Sequence, residues 1–281
     1  MRVNDINKWT AWQMAEVINQ GDVSAEEVTQ SCLDRIAERE DAVKAWTFLD
    51  PDLALKQARA CDEQRSAGNP LELLHGVPVG LKDIIDTADM PTENGSDHFK
   101  GRRPTRDATS AALLRAAGAV ILGKTVTTEF AMTGQRGTLN PHDPARTPGG
   151  SSSGSGAGVA DFMVPLALGS QTGGSMLRPA SFCGVHGYKP TYGSISRHGV
   201  FILARELDHL GVYARSLKDV AMAGDVLMVR DVGDFDMRAH PGARLVEALA
   251  ETENNPPRLA FVKGPPWAFA EPYMDQLFGA Y

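Results

Sequence analysis

The chain is 281 residues long, 42% apolar, 22% charged and 7% aromatic, a composition that excludes a disordered chain or a disulfide-stapled miniprotein and leaves length for one or two buried cores. Twenty-eight Lys and Arg stand against 35 Asp and Glu, a net charge of −7, so no basic field exists to gather nucleic acid. No apolar run approaches the roughly 18 residues of a membrane span. Three scattered cysteines, Cys32, Cys61 and Cys183, have neither an even count nor a metal-ligand spacing. With an N-terminus lacking an apolar leader, they predict free buried thiols in the cytoplasm, with no zinc and no disulfide.

Thr10 before AWQMAEVINQ and Gly21 after it predict a first helix with an N-cap and a C-terminal glycine. Ser24 opens a capping box with Glu27, and Val28, Cys32 and Ile36 follow at helical spacing. Asp50 and Pro51 start a third helix that ends near Gly68, so residues 1–70 read as largely helical. From Leu74 the texture turns to Val, Ile and Gly. The helix TSAALLRAAG, closed by Gly118, runs into an apolar strand, Ala119 to Leu122, which points to α/β architecture. Next comes NPHDPARTPGGSSSGSGAG, which by composition reads as a flexible tether. The small-residue helix and buried strand in GAGVADFMVPLALG argue instead that this segment lies between packed elements. A helix around Ser216 to Met228, a strand at Leu259 to Val262 and a helix from Glu271 to Tyr281 complete the reading.

Three motifs compete for the glycines. Gly118 to Thr125 meets the phosphate-loop pattern G-x-x-x-x-G-K-T literally, but its variable residues are an apolar strand and its helix comes first. Lys124 therefore reads as a structural strand-end residue. Gly150 to Gly154 meets G-x-S-x-G around Ser152, yet PHDPARTP cannot readily form the strand an α/β-hydrolase elbow needs. His186, His198, His209 and His240 would be the available bases for that reading. The third is Thr172-Gly173-Gly174-Ser175, where a hydroxyl follows two residues without side chains, so that backbone N–H groups can converge beside it. Such a serine needs a base. Lys82, in the apolar run VPVGLKDII, is the best placed: desolvation would favour its neutral form. An ordinary ion pair with Asp83 is the competing reading.

LHGVPVGLKD, PGGSSSGSGAGVA and GSQTGGSMLRPASFCGVHGYKPTYG together resemble the amidase signature family, from the first helix to the end of the chain. The resemblance implies an α/β fold, a mixed and mainly parallel central sheet wrapped by helices. It also implies amide hydrolysis by a Ser–cis-Ser–Lys triad without metal or organic cofactor. Ser175 would be the nucleophile, Ser151 the bridging serine on a cis peptide after Gly150, and Lys82 the ultimate base, with Thr172, Gly173 and Gly174 supplying oxyanion N–H groups. Ser152, Ser153 and Ser155 would be caps and hydrogen-bond partners. Gln171 stands where most of the family would have an acid, and Leu177-Arg178 displaces the expected arginine by one place. This run resembles the malonamidase branch and implies that Arg178 holds the carboxylate of a small amide substrate. A protein acid is the alternative partner for Arg178. Met132 is a further expected pocket residue.

The family reading makes residues 1–281 one amidase domain: a helical portion 1–70, a catalytic core 71–230 and the start of a C-terminal part at 231–281. Full-length relatives would run further, so exposed apolar surface is expected. Amidohydrolase is the leading function. The glutaminase-like A subunit of a tRNA-dependent amidotransferase and a non-catalytic shortened homologue are the alternatives, and a homodimer is the expected assembly.

Overall fold

The computed structural model describes residues 3–237, 242–251 and 258–279, which divide into two compact units, Met1–Leu249 and Ala250–Tyr281. His240 lies outside the described residues.

The predicted helix starts are where the caps place them. Helix α1 spans Ala11–Gln20, with Thr10 and Gln13 closing a reciprocal capping box and Gly21 left-handed at its end, φ +79°. Helix α2, Ala25–Val43, has the same box between Ser24 and Glu27. Helix α3, Pro51–Ser66, is capped by Asp50. Between α2 and α3, Trp46–Leu49 forms a strand, β1, an element the sequence reading did not include within a segment that is, as expected, largely helical. Four residues at a sheet edge are too few to show an alternating pattern.

The remaining strands are β2 (Pro78–Lys82), β3 (Val120–Thr125), β4 (Leu166–Gln171), β5 (His186–Tyr188) and β6 (His209–Ala214). The helices continue as α4 (Thr109–Ala116), α5 (Ser153–Ala160), α6 (Leu177–Cys183), α7 (Leu217–Leu227) and α8 (Leu245–Ala250). The strands form one sheet in the order β1-β3-β2-β4-β6-β5. Its centre, β3-β2-β4, is parallel, whereas β1, β6 and β5 each join their inner neighbour antiparallel. The expected fold class holds, but the sheet is mixed rather than mainly parallel.

Successive strand residues enter opposite cores, as the two-residue period requires. Val120, Leu122, Ala167 and Tyr213 join a cluster with α2 and α5. Ile121, Leu166, Leu168, Val212 and Ala214 face the other way, against α4 and α7. The sheet is therefore covered on both sides, and charged groups at strand ends are taken out of water.

The glycine-serine run is no tether. Its second half is α5, a helix in which every residue is buried. Small residues are required here because the backbone is close-packed: a Cβ on Gly154 would lie 2.2 Å from the Ala45 carbonyl oxygen and 2.4 Å from the Val126 nitrogen. At Gly158 the nearest atom would be the Ala45 Cβ at 3.6 Å, an ordinary contact. Gly154→Ala is therefore expected to cost about 3 kcal/mol or more, since overpacking against backbone outweighs the gain in helix propensity. Gly158→Ala should be neutral or stabilise by up to about 1 kcal/mol. Urea unfolding of the two variants checks this, and equal midpoints would contradict the packing account.

The second unit contains a helix, α9, at Pro272–Gly279, within the stretch read from the sequence as helical, Glu271 to Tyr281, whose last two residues lie outside the described residues. The predicted strand at Leu259–Val262 is absent: these residues are irregular, with Leu259 90% and Val262 81% exposed. An apolar run becomes a strand only where another strand accepts its ladder, and none of the described strands does.

Candidate active site

The site is assembled at the C-terminal ends of the three parallel strands, where open α/β sheets expose their loops. Lys82 is the last residue of β2 and is fully buried. Its Nζ donates to Ser151 Oγ at 2.7 Å and to Ser170 Oγ at 2.8 Å. Burial pushes its pKa down to about 7, and the charge of Asp208 pulls it partly back up. A buried ammonium with two neutral hydroxyl partners is a poor substitute for a hydrated one, so the neutral amine is favoured.

Asp83, the competing partner for Lys82, is turned elsewhere. It accepts backbone N–H groups from Glu93 and Gly95, and burial pushes it up to about 6, offset in part by those hydrogen bonds and by the charge of Lys124. Lys124 itself donates to the Ile85 carbonyl and the Thr92 hydroxyl, the structural role its sequence context predicts. The phosphate-loop pattern is thereby accounted for as strand β3 following α4.

Ser151 follows a cis peptide from Gly150 and is 2% exposed. The serines after it are structural. Ser152 Oγ donates to the Ser170 carbonyl and accepts the Ser170 N–H, both at 3.1 Å, which fastens the loop to β4. Ser155 Oγ donates to the Leu168 carbonyl, and Ser153 Oγ to that of Val126. With its hydroxyl so engaged and fully buried, Ser152 is not presented as a nucleophile.

Thr172 to Ser175 connect β4 to α6. Gln171 Oε1 accepts the N–H groups of Met176 and Leu177 at 2.9 and 3.1 Å. It thereby provides the capping acceptor an acid would have provided, without the charge. Tyr213 directs its hydroxyl at the carbonyls of Ser175 and Met176, 2.9 Å from each. These contacts fix the loop on its downstream side. The hydroxyl of Thr172 donates to Asp208, a contact on the upstream side. Among the described residues the Ser175 hydroxyl makes no hydrogen bond, so it is the unengaged hydroxyl of the group.

Arg178 and Met132, the two expected pocket residues, line one cavity of about 420 Å³ together with Arg136, Phe182, Gly149 and Gly150. The cavity therefore borders the cis peptide that carries Ser151. Arg178 is exposed and lies beside Gly174, where an added Cβ would come 3.2 Å from its Nη2. Among the described residues no carboxylate pairs with it. No group of three or more His, Cys, Asp or Glu side chains among the described residues is placed to share a metal ion.

Two contributors escaped the sequence reading. Ser170 is the penultimate residue of β4, and β4 pairs with β2, whose last residue is Lys82. Asp208 reaches the loop because β6 pairs antiparallel with β4, His209 opposite Gln171. Nothing local in the sequence marks that meeting.

This is an α/β protein organised around a buried lysine and a glycine-serine loop. It belongs to the amidase family, whose model matches residues 27–280. The chain is 42% identical over 267 residues to the A subunit of a glutamyl-tRNA(Gln) amidotransferase from Thermobifida fusca, covering 93% of this chain and 54% of that protein. Among solved structures, a peptide amidase from Stenotrophomonas maltophilia superposes with a TM-score of 0.79 at 36% identity, over 84% of this chain and 51% of that one. A bacterial aryl acylamidase gives a TM-score of 0.78 at 26% identity, over 86% and 52%. The chain thus spans about half the length of these relatives. Among the described residues no helix is long and apolar enough to cross a membrane.

Proposed function

We propose that the chain is an amidohydrolase that cleaves a carboxylic amide to acid and ammonia through an acyl group on Ser175. One observation carries the reading: a fully buried lysine lies 2.7 Å from the hydroxyl of Ser151. Neutral Lys82 takes the proton of Ser151 as Ser151 takes that of Ser175, and the Ser175 oxygen attacks the amide carbon. Backbone N–H groups of Thr172 to Ser175 receive the developing oxyanion. Ser151 then returns a proton to the departing nitrogen, the C–N bond breaks, and water releases the acid by the same relay in reverse. No cofactor is needed for these steps. Residues 71–230 supply every group named, and the setting we assign is the cytoplasm, in keeping with three free buried cysteines.

For the substrate we propose a small amide bearing a free carboxylate, held by Arg178 in a forked pair. The support is an exposed guanidinium that pairs with no acid among the described residues, beside Gly174 and in the cavity that Gly150 also lines. Arg178→Ala and Arg178→Lys are expected to lower kcat/KM for acidic amides roughly 100-fold and roughly 10-fold respectively, with little change for neutral amides. Equal losses on both substrate types would remove the carboxylate assignment. In wild type, kcat/KM should rise with pH through about 7, as Lys82 loses its proton. A profile flat from pH 6 to 8 would contradict Lys82 as base.

A second reading is supported by the 42% identity to an amidotransferase component: glutamine would be the amide, and ammonia would pass to a partner. Copurification with other amidotransferase components and hydrolysis of glutamine in preference to other amides favour it. A homodimer that turns over small amides unaided favours the first.

A further inference from the structure

Arg197 is 5% exposed, and its guanidinium sits where two loops cross. Nη1 donates to the carbonyls of Arg205 (2.6 Å) and Asp208 (3.1 Å), and Nη2 to the Tyr192 hydroxyl (3.0 Å) and the Asp236 carboxylate (2.7 Å). Its own backbone N–H donates to Asp234 at 2.7 Å. Asp231 accepts the hydroxyls of Ser196 and Thr109, so the acidic segment from Asp231 to Asp236 is fastened across residues 196–197. None of these groups lines the cavity that holds Arg178 and Gly150, and the hydrolytic relay uses none of them.

Asp208 links this cluster to the loop that carries Ser175. Arg197 holds its carbonyl. Its carboxylate, 7% exposed as a residue, accepts the N–H groups of Leu203 (2.6 Å) and Ala204 (3.0 Å) and the hydroxyl of Thr172. The loop needs such an anchor, because a Cβ on Gly173 would meet nothing within 4 Å and packing does not define its path there. Gln171 and Tyr213 fix the loop after Gly174, so the Thr172–Asp208 bond is the fixed point before it.

We infer that Arg197 is a positioning residue for the Thr172–Ser175 loop: its guanidinium sets the Asp208 main chain, and the Asp208 carboxylate sets Thr172. The inference rests on the reading of that loop as the oxyanion site and assigns the site a support some way along the chain. A planar fork with several fixed donors can meet Arg205, Asp208, Tyr192 and Asp236 at once, whereas a lysine ammonium at the same place is a single point charge.

The test is the rate at which a fluorophosphonate labels Ser175, since its phosphoryl oxygen occupies the oxyanion position and no amide substrate need be known. Arg197→Lys and Thr172→Val should each slow labelling roughly tenfold or more, as expected for a displaced oxyanion loop. The double variant should be no slower than Thr172→Val alone, because both remove one linkage. Additive losses would mean that Arg197 supports the fold generally, and a wild-type rate in Arg197→Lys would mean that it supports nothing here; either overturns the inference. If Arg197→Lys does not fold, Asp236→Ala removes one partner at a partly exposed position. It should slow labelling in the Thr172 background and not in the Val background, and an unchanged or additive rate overturns the inference equally. A folded wild-type chain that takes no label at Ser175 overturns the reading of the loop and this inference with it. A labelled wild type with an equally fast Arg197→Lys overturns this inference alone.

Discussion

Replacing Lys82 by methionine is expected to lower amide turnover by roughly three to four orders of magnitude and, near neutral pH, to stabilise the fold. The first effect follows from the relay: a thioether of similar length and volume keeps the packing but accepts no proton, so the Ser175 hydroxyl is left unassisted. The second follows from burial. Lys82 has a folded pKa of about 7, below its ordinary value of 10.5. Between these two values the unfolded chain binds a proton that the folded chain does not, so this group makes stability rise with pH across that window. At or below pH 7 the fold bears the full cost of the buried amine, on the order of a few kcal/mol. Above 10.5 both states are neutral and the cost is gone. The stability advantage of Lys82→Met should therefore be largest at pH 6 to 7 and fade towards pH 10.5. Lys124, pushed down to about 8 by burial, titrates in both proteins and cancels in the difference. Urea unfolding of both at pH 6, 8 and 10 checks the sign, and a pH-independent difference would contradict the account.

Ser151→Ala should reduce turnover by roughly three orders of magnitude with a stability change within about 1 kcal/mol. Lys82 keeps its second partner, Ser170, at 2.8 Å, so the amine is neither freed nor newly stranded. What disappears is the hydroxyl proposed to pass a proton between Lys82 and Ser175 in both directions. Ser170→Ala is the matched control: it removes a hydrogen bond to the same nitrogen but leaves that path whole, and a loss of roughly tenfold is expected. Steady-state kinetics of the pair decide the point. If Ser170→Ala proved the more damaging, the bridging role would belong to Ser170.

Helix starts were legible in the sequence because they are local chemistry. Thr10, Ser24 and Asp50 each accept a backbone N–H within the next three residues, a relation that spacing alone reveals. The site was legible for a different reason: glycines and serines concentrated in two loops mark where backbone must approach backbone or substrate, and a lysine within an apolar run has to be buried. The choice between Ser151 and Asp83 as partner of Lys82 could not be made from neighbours in sequence. It is decided by β2, which lies between β3 and β4 and carries Lys82 to the end of β4 that holds Ser170. Strands β1 and β5, with four and three residues, are too short to show a period. The Leu259 to Val262 run carries strand-like residues with no strand to pair with among the described residues. Asp208 meets Thr172 at the end of the antiparallel pairing of β4 with β6, so residue types alone offered no sign of it.

The central claim is that Ser175 is a nucleophile activated through Ser151 by a neutral, buried Lys82. Fluorophosphonate labelling read by intact mass and peptide mapping tests it most directly. The account predicts one adduct, on Ser175, absent in Ser175→Ala and forming faster as pH rises through about 7. A folded chain that takes no adduct, or takes it on Ser152 or another serine of the loop, would contradict it.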